Sequence, residues 1–245
     1  MRDFITCLEF LTRVRFSKRT DWRDEDFSRS VPYFPLVGLV IGSLLAAVNY
    51  GLFYIETPLF LRVTLLLLAE IIITGGLMYD GFMDTADGVF SARSRERMLE
   101  IMKDSHVGSN AVLAIIILLL LKIAAYLELS GETLTWVLLT MSVATRTFMV
   151  VFIVNFPYAR KEGIGHMFTK YVIPFYRYID FAVCAGIIAA CGLQYLAVAG
   201  ICFTVTLIIA QYLKTQLGGL TGDTYGSLTE GGNVSYLLTA LFLLR

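Results

Sequence analysis

The sequence predicts an all-α fold, a polytopic integral-membrane bundle of six to seven transmembrane helices. Three observations predict it. The 245 residues are 57% hydrophobic and 16% charged, against roughly 25% charged in an average soluble domain. Mean hydropathy is +0.70. Seven apolar runs approach the ~20 residues that cross a bilayer, and the basic residues collect in alternate connecting segments. The formal net charge is zero, and no nucleic-acid partner is expected; the partner surface is the lipid bilayer.

Residues 1–35 hold seven Lys/Arg. Asp3, Glu9, Arg13 and Arg15 interrupt any apolar core there, so no cleavable signal peptide is expected. Phe4, Leu8 and Leu11 share a helical face, which suits an interfacial helix or an ordinary polar cytoplasmic arm equally. The spans read as Leu36–Ile55, Val63–Tyr79, Ala111–Leu127, Leu134–Val154, Ile179–Cys191, Leu196–Leu213 and Val234–Leu244. The fifth and seventh are short. The fifth has room to begin near Tyr171, and the seventh either starts as far back as Leu228 or does not cross fully.

Segments 80–110 and 156–178 carry four Lys/Arg each, while the turns near 130 and 194 carry none. The basic-rich segments therefore fall on one side, which is cytoplasmic, with the amino terminus inside. No repeat, low-complexity stretch or long linker divides the chain. It reads as one integral-membrane domain over 1–245, with any active site built from helix ends and short loops at the cytoplasmic face. Cys7, Cys184, Cys191 and Cys202 form no CxxC pair and read as buried small hydrophobes.

Chemistry concentrates in Asp80-Gly-Phe-Met-Asp84-Thr-Ala-Asp87-Gly88. On a helix, spacings of four and three put the carboxylates in a stripe roughly 60° wide, where like charges repel and a divalent cation relieves the repulsion. Gly88 permits a break. Ser94 suits the cap of a second helix with Met98, Leu99 and Met102 on its apolar face. Glu100 and Asp104, four apart, would share the opposite face. Two acidic faces across a short turn suit one hard cation such as Mg²⁺. Arg93, Arg95, Arg97 and Lys103 on the same segment suit phosphate oxygens. Acids plus cations are what phosphoryl transfer needs. A solvated loop of mutually paired surface charges is the plainer reading of the same residues.

Two further segments are candidates. Asn155-Phe-Pro-Tyr-Ala-Arg160-Lys-Glu-Gly163-Ile-Gly165-His166 suits a phosphate clamp or a positive-inside anchor. Gly218-Gly-Leu-Thr221-Gly222-Asp223-Thr224-Tyr-Gly226 suits close backbone approach to a ligand, or a plain interhelical loop. Among ionisable residues in apolar runs, Glu70 and Arg146 read as functional. Lys122 and Glu128 read as snorkelling near a helix end.

The block from Thr74 through Asp80, Asp84, Asp87, Arg93, Glu100 and Asp104 resembles the signature of the cobalamin synthase family, the adenosylcobinamide-GDP ribazoletransferases. The resemblance extends to Phe10-Leu-Thr-Arg13, Phe34-Pro-Leu-Val-Gly38, Arg146, Pro157-Tyr-Ala-Arg160 with Gly163 and Gly165, and Gly222-Asp223-Thr224-Tyr-Gly226. These blocks run the length of the chain in the family's order.

The resemblance implies a multi-pass enzyme of the bacterial cytoplasmic membrane, acting in the last steps of cobalamin assembly. It would join adenosylcobinamide-GDP to α-ribazole, or to its 5′-phosphate, with release of GMP and a requirement for Mg²⁺. Asp80, Asp84, Asp87 and Asp104 would hold the metal, and Asp104 or Glu100 would be the general base. Arg93, Arg97 and Arg160 would bind the pyrophosphate, with Arg146, Asp223 and Thr224 also substrate-binding. The oligomeric state stays open, a homo-oligomer among the alternatives. Two positions depart from the family pattern. Met78 stands where a His is usual, and Thr229-Glu230-Gly-Gly-Asn233 matches at Glu230 alone. A weaker similarity links Asp84-x-x-Asp87-Gly88…Ala92-Arg93…Glu100-x-x-x-Asp104 to the CDP-alcohol phosphotransferases. A secondary transporter with an acid-lined cation site is a rival from another class.

Overall fold

The computed structural model describes residues 2–16, 23–129 and 131–244. They form twelve α-helices and one 3₁₀ turn, with no β-strand among them. Helix α1 (Arg2–Leu11) and α2 (Asp24–Ser30) lead through the turn Val31–Tyr33 into α3 (Phe34–Tyr54). Leu8 and Leu11 are buried, so α1 packs onto the protein through the face the sequence marks.

Next come α4 (Leu59–Thr74), α5 (Leu77–Phe90), α6 (Arg95–Ile101), α7 (Ser109–Glu128) and α8 (Gly131–Asn155). The chain ends with α9 (Ile164–Lys170), α10 (Tyr176–Cys191), α11 (Gln194–Leu217) and α12 (Gly222–Leu243).

Among the described residues, four helical stretches are long and apolar enough to cross a membrane: Glu25–Tyr54, Ser109–Glu128, Gly131–Asn155 and Gln194–Leu217. The α4–α5 pair makes a fifth only if helices bent by 92° count as one span. This is fewer than the six to seven that the apolar runs suggest. Helix α10 has 16 residues, below the ~20 needed. Helix α12 begins at Gly222, twelve residues before the apolar run at Val234, and carries Asp223, Glu230 and Asn233.

Helix α8 is the hub. Its buried residues face all round the helix, as expected of an apolar helix enclosed by others. Its most extensive partner is α3. Gly38 and Gly42, one turn apart on α3, allow that contact: a Cβ at Gly42 would lie 2.8 Å from the Leu139 backbone. Small residues at this spacing let two helix backbones touch. Leu44, Phe53, Leu68, Ile72, Ile116, Leu120, Ile201 and Ile208 are exposed on α3, α4, α7 and α11, where lipid would cover them.

The α4–α5 bend comes from Gly75 and Gly76, both left-handed with φ of 69° and 73°. A side chain in that region costs roughly 1 kcal/mol or more. The bend turns α5 away from the line of α4, and its three aspartates belong outside hydrocarbon.

Buried charges tie the bundle together. Lys122 of α7, fully buried, donates to Glu70 of α4 at 2.8 and 2.9 Å, to Glu230 of α12 at 2.8 Å, and to the Tyr79 hydroxyl of α5 at 2.7 Å. Asn233 donates to Glu230 at 3.3 Å and accepts from Thr145 at 3.0 Å. Thr145 in turn accepts from Arg146 at 3.1 Å. Lys122 therefore does not snorkel. Its reach to either end of the helix is taken up by two carboxylates, and with Arg146 the four charges sum to zero. Glu70 and Arg146 belong to this network rather than to the cleft described below. The departure from the family pattern after Gly226 does not interrupt α12, and Asn233 there orients Glu230.

Candidate active site

Three separated stretches converge at one end of the bundle. The first is α5. Asp80 is exposed and Asp84 half-buried on this helix, which opens directly after the Gly75–Gly76 bend. The second is the segment after α8. Ala159 donates to the Leu220 carbonyl and Leu220 to the Pro157 carbonyl, both at 2.8 Å, forming a short parallel bridge. The third is the start of α12. There Thr221 and Thr224 form a reciprocal capping box, with Thr221 N–H to Thr224 Oγ1 at 2.7 Å and Thr224 N–H to Thr221 Oγ1 at 3.2 Å. Such boxes satisfy the free N–H groups of a first helical turn.

The bridge brings Arg160 to Asp223, with Nη1 to Oδ2 at 2.8 Å. Backbone closeness holds α5 against α12: a Cβ at Gly81 would lie 2.7 Å from the Asp223 carbonyl oxygen. Asp80, Asp84 and Asp223 thus share one electrostatic neighbourhood with Arg160. Burial pushes the Asp84 carboxyl up to about 7, helped by the negative charges of Asp223 and Asp80 and opposed by Arg160. Burial also raises Asp223, with Arg160 opposing. Three carboxylates against one guanidinium leave the cleft short of positive charge.

Two cavities open on either side of Asp80. One, of about 130 Å³, is walled by Phe34, Met149, Ile153 and Phe168, with Asp80 and Asp223 also on its lining. The other, of about 540 Å³, includes Arg13, Arg15 and Asp80. Phe10, Leu77 and Asp80 line both.

The remaining sequence candidates lie elsewhere. Asp87 accepts from the Gly108 and Ala111 amides at 2.5 and 2.9 Å. It serves as a carboxylate cap for α7 supplied by α5, which suits the positive end of a helix. Gly88 does not break α5; it lets Met98 of α6 and Met102 just past its end approach. Ser94 does cap α6, and Met98 and Met102 are buried as its spacing predicts.

Helix α6 ends at Ile101, so Asp104 lies beyond it and shares no helix face with Glu100. Asp104 pairs with His106 at 2.5 Å on the surface, and that hydrogen bond holds its carboxyl below the usual range and raises the imidazole. Glu100 pairs with Arg97 at 2.8 Å, both side chains exposed. Arg93 is exposed. Thr224 is committed to the cap rather than pointing at the cleft. Among the described residues, no three His, Cys, Asp or Glu side chains stand close enough to enclose a metal ion.

Sequence reasoning passed over Arg13 and Arg15 as site residues. The Phe10-Leu-Thr-Arg13 block was the available signal; it lies far from Asp80 in sequence, and only the hydrogen bond from the Arg13 amide to the Ile73 carbonyl, at 2.8 Å, brings the two together.

These features define a class: an all-helical integral-membrane protein with a carboxylate-rich cleft at helix ends, between an apolar cavity and a wider one of mixed charge. The model of the cobalamin-5-phosphate synthase family, CobS, matches residues 3–241, and the chain belongs to that family. It is 35% identical to an adenosylcobinamide-GDP ribazoletransferase of Clostridium novyi (strain NT), covering 98% of this chain and 97% of that protein. An enzyme of the same name from Desulforamulus reducens is 40% identical over 91% of this chain and 89% of its own. One from Escherichia coli O17:K52:H18 is 37% identical over 97% and 98%. No solved structure matches the chain. The protein is a transferase.

Proposed function

We propose that the protein transfers the phosphocobinamide group of adenosylcobinamide-GDP to α-ribazole or α-ribazole 5′-phosphate. The products are adenosylcobalamin or its 5′-phosphate, and GMP. A ribose hydroxyl of the acceptor attacks the cobinamide-bearing phosphorus, a P–O bond forms, the pyrophosphate P–O bond breaks, and the hydroxyl proton passes to a carboxylate. The observation that carries this reading is the gathering of Asp80, Asp84 and Asp223 with Arg160 from three distant stretches, inside a chain related end to end to enzymes of that name.

The donor set suits Mg²⁺: the grouped side chains offer only oxygen, and their charge is uncompensated. Mg²⁺ takes one or two protein carboxylates rather than an all-protein cage, so the lack of a three-residue cluster among the described residues is no obstacle; Asp80 and Asp84 would hold it, and it would supply neutralisation of charge on the transferred group. Arg160 fixes Asp223 and faces the same space, where its planar fork suits phosphate oxygens. Asp104 and Glu100, with Arg93 and Arg97, remain proposed as base and phosphate ligands. They lie on the segment that follows α5 directly. The cleft is assigned to the cytoplasmic side of the inner membrane on the distribution of Lys/Arg, with the amino terminus inside.

The test compares GMP release by correctly inserted variants. Asp84→Asn and Asp223→Asn are expected to lose at least about a hundredfold in rate, the scale of a lost proton-transfer group. Wild-type rates from both would remove the cleft from the mechanism. Asp104→Asn run beside them decides whether the exposed segment takes part.

A further inference from the structure

The smaller cavity beside Asp80 has no role in the transfer as described so far. Its walls come from six elements, α1, α3, α5, α8, α9 and α12, which contribute Phe10, Phe34, Met78, Met149, Phe168 and Tyr225 among others. Phe34, Met78, Met149, Ile153, Phe168 and Tyr225 are each no more than 4% exposed. The aromatic wall is fixed by its own packing. Phe168 meets Phe10, Phe27 and Phe34 edge-on, with ring centroids 4.9, 5.4 and 5.6 Å apart. Such pairs hold each other in place. The polar side chains on its lining that bear charge are Asp80 and Asp223.

From this geometry we infer that the cavity seats the aromatic base of the acceptor nucleoside, with its ribose at Asp80 and Asp223. The inference rests on the transferase reading. Three large groups enter that reaction: a corrinoid, a guanine and the benzimidazole-type base of ribazole. A cavity of about 130 Å³ excludes the corrinoid; an apolar cavity of about 150 Å³ already suits a benzene ring. Guanine carries hydrogen-bonding atoms around its edge, and burying those without partners is costly. The base of ribazole is flat, and its carbocyclic edge is apolar and one ring wide; that edge meets both limits and enters the cavity, with the imidazole ring and ribose outside it. A ribose hydroxyl donates well to a carboxylate, which suits the acceptor's ribose to Asp80 and Asp223. The donor, which carries the larger groups, is directed instead to the wider cavity across Asp80, of about 540 Å³, where Arg13 and Arg15 lie with Glu9. Donor and acceptor then approach Asp80 from opposite sides, with Phe10 and Leu77 as the partition between them.

Two variants test this. Gly222 lines the cavity, and a Cβ there would meet only the Gly165 nitrogen, at 3.8 Å, so Gly222→Ala narrows the space without disturbing the fold. Met149→Ala removes wall contact. Each is measured for KM toward α-ribazole carrying 5,6-dimethylbenzimidazole, toward the analogue with unsubstituted benzimidazole, and toward adenosylcobinamide-GDP. Direct binding of radiolabelled α-ribazole to the detergent-purified protein, without donor, is measured alongside.

Gly222→Ala is expected to raise KM for the dimethyl base about tenfold more than for the unsubstituted one, the scale of a misplaced methyl in an apolar pocket. Met149→Ala is expected to weaken α-ribazole binding about tenfold, with KM for the donor unchanged. Equal effects on both bases in Gly222→Ala, or a rise in donor KM with acceptor binding intact, overturns the assignment. If the wild-type protein turns over neither acceptor, the transferase reading fails instead, a result separate from either variant's.

Discussion

Removing the Lys122 ammonium should be among the most damaging single changes this protein can suffer outside its cleft. Lys122→Met keeps the volume and deletes the charge. Glu70 and Glu230 are then left at 2% and 1% exposure without the three carboxylate contacts of 2.8–2.9 Å that hold them, and the Tyr79 hydroxyl loses its donor. Breaking a buried pair from one side costs about 3–5 kcal/mol. Against a total stability of roughly 5–15 kcal/mol, that is a large share. For a chain of this size it corresponds to a fall of roughly 6–20 °C in Tm. The assay is thermal unfolding of the detergent-solubilised protein. Lys122→Met/Glu70→Gln leaves Arg146 and Glu230 in balance, so it should recover most of the loss. A fall below about 1 kcal/mol, the scale of an exposed pair, would refute the reasoning. So would a double variant whose losses simply add, since coupled partners must show an interaction energy.

Gly42→Ala should destabilise the bundle by about 1–3 kcal/mol, because its Cβ would press on the Leu139 backbone at 2.8 Å and overpacking has that cost; chemical denaturation in detergent reads it. Arg97→Ala should change Tm by less than the Lys122 variant by a wide margin, since the Arg97–Glu100 pair is exposed and worth ~0–1 kcal/mol. Asp84→Asn should be more stable than wild type at pH 8 and nearly equal at about pH 4, the unfolded carboxyl's own range, with a chelator present. The folded carboxyl titrates at about 7, above its unfolded value, so the folded state binds the extra proton. Wild-type stability therefore declines as pH rises from about 4 to about 7 and levels off above it, and the amide variant escapes that decline; Tm at the two pH values checks it, and a constant difference sinks it.

Much of the architecture is legible in the residues because hydrocarbon demands long apolar helices, and those at α3, α7, α8 and α11 stand near where the runs place them. Helix α12 is not legible in that way. Its first three turns carry Asp223, Thr229 and Glu230, whose polarity hides a helix that is buried in protein rather than lipid. Lys122 misleads for a related reason: its position near the end of an apolar run is compatible with snorkelling, and its partners lie 52 and 108 residues away in sequence. The acidic stripe is legible as a stripe. What spacing does not reveal is the division of labour within it, where Asp87 turns to the amides of α7 while Asp80 and Asp84 face Asp223. Nothing local in Asp223 or Arg160 announces their pairing; the short bridge between Tyr158 and Leu220 creates it.

That bridge and the helix following it bear on how the protein is made. The chain emerges from its amino terminus, and domains consolidate as they emerge. By the time α8 is complete, α5 and α7 have been made, yet Asp223 has not, and of its two carboxylate partners Lys122 has only Glu70 to meet. The last helix brings both missing groups at once: Glu230 for the interior and Asp223 for the cleft. Charge balance in the core and completion of the site thus become one event, when α12 is made, and a chain cut short before it has neither.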